Sequence, residues 1–125
     1  MRLSCLIVDD CDRFAEAARR LLDAEGIAVI GVASTTAEAL ARCAELRLDV
    51  VLVDIDLGEE SGFDLARKLA DAAATVPPRV IMISSHDEQD FAEMVADSPA
   101  IGFLWKPNLS GRAISEILRR PGHGA

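Results

Sequence analysis

The sequence predicts an α/β fold: one parallel sheet, doubly wound, with helices on both faces. Three observations carry that expectation. The chain has 125 residues, which suits a single domain. Short apolar runs alternate with helical patterns about every 20 to 25 residues, giving five β-α units in sequence. The apolar runs are nearly continuous rather than alternating, as in strands whose two faces are both covered by helices. Right-handed crossovers between parallel strands then build a doubly wound sandwich.

The elements follow in order. Leu3 to Val8 reads as a buried strand. From Asp12 to Glu25, Phe14, Ala18, Leu21 and Leu22 recur at helical spacing, and Gly26 stops the pattern. Ile27 to Ala33 is the second strand. Thr35-Thr36-Ala37-Glu38 has the form of a capping box and opens a second helix. Its expected buried stripe is Ala37, Leu40, Ala41 and Ala44. Val50 to Val53 is the third strand. Gly62 to about Ala74 is the third helix, with Phe63, Leu65, Ala66 and Leu69. Pro77-Pro78 mark a loop. Val80 to Ile83 is the fourth strand, and Phe91, Met94 and Val95 indicate a short fourth helix. Ile101 to Trp105 is the fifth strand. Ser110 is placed to cap a last helix carrying Ile114, Ile117 and Leu118, which Pro121 and Gly122 end. Residues 1–120 thus form the domain, and 121–125 a short tail.

Composition narrows the function. Thirteen Lys and Arg face 21 Asp and Glu, a formal net charge of −8. Phosphate contacts need Lys and Arg, so direct nucleic-acid binding is not expected. An anionic membrane surface is disfavoured for the same reason. No apolar run approaches the roughly 20 residues of a membrane span. Asp9 and Asp10 would interrupt any secretory apolar segment. Cys5, Cys11 and Cys43 form no CxxC pair and no metal-ligand spacing. They read as small apolar residues in a reducing, cytoplasmic setting.

In a doubly wound sheet, ligands bind outside the carboxyl ends of the strands. Strand one ends in Asp9-Asp10, strand three in Asp54, strand four in Ser84-Ser85 and strand five in Trp105-Lys106-Pro107. Three carboxylates so placed repel one another, and a hard divalent cation such as Mg²⁺ relieves that. A carboxylate can also attack phosphorus to give an acyl phosphate. The charge on the phosphoryl oxygens then needs cations and donors, which Mg²⁺, Lys106 and Ser84 can supply. Asp54, on the central strand, is the natural acceptor.

In these motifs and their order, the sequence resembles the receiver domains of two-component response regulators, from Leu3 to about Arg119. The features are the acidic pair Asp9-Asp10, Asp54 within Val51-Leu52-Val53-Asp54-Ile55-Asp56-Leu57 followed by Gly62, Ser84, and Lys106-Pro107. The resemblance implies a flavodoxin-like sheet of order 2-1-3-4-5. It implies that Asp54 accepts a phosphoryl group from a phosphohistidine on a sensor kinase or phosphotransfer protein. Asp10 would bind Mg²⁺ directly, Asp9 through water, and the Asp56 backbone carbonyl would add a ligand. Ser84 and Lys106 would grip the phosphoryl oxygens. Phe103 falls at the family's switch aromatic, and Ser84 and Phe103 would move together on phosphorylation. That movement would remodel the face of helix four, strand five and helix five for a downstream protein partner. The same face is a candidate for homodimerisation. The Lys106–Pro107 bond would be cis, as is usual in the family. Such a protein signals rather than turning over substrate.

Some positions depart from the family's commoner pattern. Gly58 stands where Pro is frequent and Ser85 where Ala is frequent. Asp56 and His86 occupy positions that tune acyl-phosphate lifetime in the family. Trp105 is bulkier than usual. Each motif also has a plainer reading: a solvated helix start for Asp9-Asp10, a turn for Ser84, a surface lysine for Lys106, a core aromatic for Phe103. Asp54-Ile55-Asp56 also matches the DxD of haloacid-dehalogenase-type phosphatases, but there that motif lies on the first strand. A pseudo-receiver that never takes phosphate is a further alternative, which the intact Asp9, Asp10, Asp54, Ser84 and Lys106 set disfavours. With no output domain after the last helix, a stand-alone switch is expected; a fragment of a longer DNA-binding regulator would look the same.

Overall fold

The computed structural model describes residues 2–72, 78–86 and 88–120. Five parallel strands form the sheet: β1 (Ser4–Val8), β2 (Ala28–Ala33), β3 (Val50–Asp54), β4 (Arg79–Ser84) and β5 (Gly102–Trp105). Their order is β2-β1-β3-β4-β5, as the resemblance implies. Five helices connect and follow them: α1 (Asp12–Ala24), α2 (Thr36–Glu45), α3 (Gly62–Ala72), α4 (Ala92–Ala96) and α5 (Gly111–Leu118). A two-residue hairpin, Asp56–Leu57 against Glu60–Ser61, lies between β3 and α3.

The pleat explains why the strands are apolar throughout. Successive side chains point to opposite faces. Leu6, Val8, Val51, Val53 and Met82 pack with Ala39, Phe63, Leu65 and Leu69, so α2 and α3 cover one face. Cys5, Ile7, Leu52, Ile81 and Ile83 pack with Leu22, Ile114 and Ile117, so α1 and α5 cover the other. Every residue of β3 is buried.

Local chemistry sets the element ends. Gly26, at φ 88°, closes α1 in the left-handed region that glycine tolerates. Thr35 Oγ1 accepts from the Glu38 N–H at 3.1 Å, capping α2. The reciprocal arm reaches one residue further back than in a capping box: Glu38 Oε1 accepts from the Ser34 N–H and hydroxyl. Ser110 Oγ caps α5 by accepting from the Ala113 N–H at 3.0 Å.

Several sequence expectations need correction. The buried face of α2 is Thr36 and Ala39, with Leu40 and Cys43 against the core. Ala37, Ala41 and Ala44 are exposed. Alanine carries little size signal, and the bulk of Leu40 and Cys43 decides the rotation. Leu21 and Met94 lie in α1 and α4 as their spacing indicates, but both are exposed. Among the described residues no peptide bond is cis, so Lys106–Pro107 is trans. Pro107 sits in the first turn of a 3-10 helix, Lys106–Asn108, where a missing N–H is tolerated. The end of the third helix beyond Ala72, Pro77, Asp87 and the 121–125 tail lie outside the described residues.

The cysteines separate as well. Cys5 is buried, Cys43 half-buried and Cys11 exposed. Burial pushes the Cys5 thiol up to about 12, helped by the Asp23 charge, and the Cys43 thiol up to about 11. Thiolate is the reactive form. A maleimide added to the native protein at pH 8 is therefore expected to label Cys11 alone, with Cys5 and Cys43 labelled only after denaturation. Peptide mass mapping reads the result.

Candidate functional site

The carboxyl ends of β1, β3 and β5 bring Asp10, Asp54 and Lys106 into one open cleft of about 540 Å³, whose walls also include Cys11, Phe14, Asp56, Gly58 and Ser85; Asp9 lies buried against Lys106 rather than in the cleft wall. Asp9 is fully buried at the end of β1 and Asp54 is 6% exposed at the end of β3. Asp10 and Asp56 are exposed. One carboxylate oxygen from each of Asp9, Asp10 and Asp54 lies within 4.8 Å of the others.

Lys106 reaches in from the end of β5. Its Nζ is 2.6 Å from Asp9 Oδ2 and 3.1 Å from Asp54 Oδ2, and its side chain is only 14% exposed. The Asp9 contact is an ion pair without hydrogen-bond direction, and among the described residues Asp9 Oδ2 has no hydrogen-bond partner. The remaining oxygens meet backbone donors. Asp9 Oδ1 accepts from the Cys11 N–H at 2.8 Å, and Asp54 Oδ1 from the Asp56 N–H at 3.1 Å.

Burial pushes the Asp54 carboxyl up to about 6; the Asp56 N–H opposes this, the Asp9 charge adds to it, and Lys106 opposes it. Burial by itself pulls the Lys106 ammonium down, but its contacts with Asp9 and Asp54 reverse that and leave it above the usual lysine value. One ammonium, paired with Asp9 and Asp54, against a cluster of three carboxylates of which two are buried leaves an excess of negative charge. A divalent cation with oxygen preference fits this donor set.

Ser84 is buried at the end of β4, its Oγ accepting from the His86 N–H at 3.0 Å. Ser85, not Ser84, lines the cleft. Phe103 is buried in the core cluster, beside Met82 in the sheet. Trp105 is 42% exposed, and its Nε1–H donates to the Ser85 carbonyl at 3.1 Å. The His86 ring meets Phe91 edge-on.

Sequence reasoning missed one contact. Phe14 reads as part of the apolar stripe of α1, yet it is only half-buried and faces the cleft, with Lys106 Nζ 4.3 Å from its ring centroid. Its position one helical turn after Asp10 is the signal that would have shown this.

The comparisons decide the family. The model of the response regulator receiver domain matches residues 5–118. The chain belongs to the response regulator receiver family. It is 33% identical over 116 residues to the response regulator UvrY of Escherichia coli K12, covering 92% of this chain and 52% of that protein. It is 36% identical over 104 residues to a protein-glutamate methylesterase/protein-glutamine glutaminase of Myxococcus xanthus, covering 82% of this chain and 29% of that protein. The receiver chain thus spans about half the length of the UvrY relatives. Among solved structures it resembles the signal receiver domain of a NarL regulator from Mycobacterium tuberculosis, with a TM-score of 0.83 and 27% identity over 95% of this chain and 98% of that one. It also resembles a Burkholderia pseudomallei response regulator described with a phosphorylated aspartic acid, calcium ion and citrate. The TM-score there is 0.79 and the identity 26%, over 94% of this chain and 66% of that one. A receiver domain of a two-component regulator is a signalling module. Among the described residues no helix is long and apolar enough to cross a membrane.

Proposed function

We propose that this receiver domain is a Mg²⁺-dependent phosphoacceptor switch acting in the cytoplasm, with Asp54 as acceptor. The observation that carries the reading is the seat of Lys106 between Asp9 and Asp54, beside the three-carboxylate cluster. Asp10, Asp54 and the Asp56 carbonyl would hold Mg²⁺, with Asp9 contributing from behind. The ion would neutralise carboxylate charge and draw phosphoryl oxygens into the cleft.

Asp54 attacks the phosphorus of a phosphohistidine on a sensor kinase or phosphotransfer protein. The new bond is carboxylate O–P, the bond broken is P–N, and the imidazole leaves with its electron pair and takes a proton. Lys106 stands within reach of both Asp54 and an incoming phosphoryl oxygen. Ser84 lies buried next to the acceptor strand and is the hydroxyl that would turn toward the phosphoryl group, giving up the His86 N–H. Phe103 follows as the switch aromatic. The exposed Trp105 and Met94 belong to the α4, β5 and α5 face through which a downstream protein, or a second copy, would read the change. The excess of acidic residues makes this domain a poor candidate for direct nucleic-acid binding.

The test is incubation with acetyl phosphate and Mg²⁺ followed by intact mass, beside Asp54→Asn. A labile gain of about 80 Da, the mark of one phosphoryl group, is expected in the native chain and lost in Asp54→Asn and with chelator. No gain, together with no Mg²⁺-dependent change in Trp105 fluorescence on adding beryllofluoride, would sink the reading in favour of a binding module that never takes phosphate.

A further inference from the structure

We infer that Phe14 is a positioning residue for the phosphoryl-transfer cation: its ring holds the Lys106 ammonium in the cleft while that ammonium exchanges Asp54 for the phosphoryl group. The inference rests on the reading of Asp54 as acceptor.

Both oxygens of Asp54 are occupied in this structure. Oδ1 takes the Asp56 N–H and Oδ2 takes Lys106. Each keeps a second lone pair for attack, but once Oδ2 bonds to phosphorus it loses its negative charge, so the hold of Lys106 on it loosens. Asp9 alone would then retain it, through a contact poorly directed for hydrogen bonding. Phe14 supplies the third side of the seat. Its ring face lies 4.3 Å from Nζ, well inside the range of cation–π attraction. That attraction has no directional demand on a particular N–H, so it persists as the ammonium turns from carboxylate to phosphoryl oxygen. A ring also excludes water from that side of the charge, which strengthens the remaining electrostatic contacts. Phe14 is carried by α1, which follows directly from Asp9-Asp10, so the same turn that places the acidic pair also places the ring.

The experiment compares initial rates of acyl-phosphate formation from acetyl phosphate, across donor concentration, in the native chain, Phe14→Leu and Phe14→Tyr. Mg²⁺ affinity is measured in parallel by calorimetry. Phe14→Leu is expected to slow phosphorylation about fivefold, the scale of a partly buried cation–π contact, with Mg²⁺ affinity within about twofold. Phe14→Tyr, which keeps the ring face, is expected to retain the native rate. Equal rates in all three proteins would overturn the inference, as would equal losses in Leu and Tyr, which would mark a packing role. In the native chain, the Lys106 ε-methylene protons should show an upfield ring-current shift by NMR. Should Phe14→Leu fail to fold, absence of that shift overturns the inference and its presence supports it. If the native chain itself takes no phosphoryl group, the acceptor reading fails instead, which is a separate outcome.

Discussion

Gly62→Ala is expected to destabilise the domain by about 3 kcal/mol or more, beyond the usual cost of overpacking a core. A Cβ on Gly62 would stand 2.0 Å from the Asp54 carbonyl oxygen, 2.9 Å from its carbon and 3.0 Å from Ile55 Cα. These are backbone atoms, so no rotamer change removes the overlap. Asp54 ends a strand buried along its whole length, and the Gly62 N–H donates to the Ile55 carbonyl at 2.9 Å. Relief therefore requires α3 to lift off the end of β3, breaking that bond and moving the acceptor. Gly26→Ala is the informative control. Gly26 has open space around it but sits at φ 88°, so its substitution should cost only about 1 to 2 kcal/mol of left-handed strain. Chemical denaturation of both variants distinguishes close approach from backbone conformation. A Gly62→Ala cost no larger than that of Gly26→Ala would refute the steric argument.

Gly62 also illustrates what the sequence exposes and what it conceals. The strands were legible because helices cover both faces, and Val50 to Val53 or Val80 to Ile83 then have no polar alternative. The strand-end residues Asp9, Asp54 and Lys106 were legible because parallel topology places those ends together whatever the loops do. Helix faces were harder. In α2 the alanines are interchangeable in size, and only Leu40 and Cys43 orient the helix. Ser84 and Ser85 are adjacent and alike, and only the pleat decides that Ser84 turns inward while Ser85 meets the cleft. Phe14 was concealed by its own hydrophobicity, since an apolar residue at helical spacing reads as core. The family's cis Lys-Pro bond was an expectation from resemblance alone, and here the 3-10 turn after β5 accommodates Pro107 in trans.

Removing the Lys106 ammonium should have the second large effect, and its pH dependence should reveal the cause. In Lys106→Ala, Asp9 Oδ2 and Asp54 Oδ2 lose their shared cation at a buried site. Stripping one partner from a buried charge cluster costs about 3 kcal/mol. The raised value of the lysine means that its contribution is complete at neutral pH and fades only above the usual lysine range. The carboxylates set the other limit. Asp54 already holds its proton up to about 6 in the native chain, mainly through burial, and loss of Lys106 raises it further. A group that binds a proton more tightly when folded costs stability as pH rises through its folded value. The deficit of Lys106→Ala should therefore be full at pH 8 and shrink by about half or more at pH 5, where Asp54 is protonated in both proteins. Mg²⁺ offers the carboxylates an alternative cation, so at pH 8 it should raise the melting temperature of Lys106→Ala more than that of the native chain. Thermal melts at the two pH values, with Mg²⁺ and with chelator, measure all four quantities. A deficit that stayed constant with pH would mean that Lys106 stabilises the fold by packing its alkyl stem against Phe14 rather than by neutralising the acidic cluster.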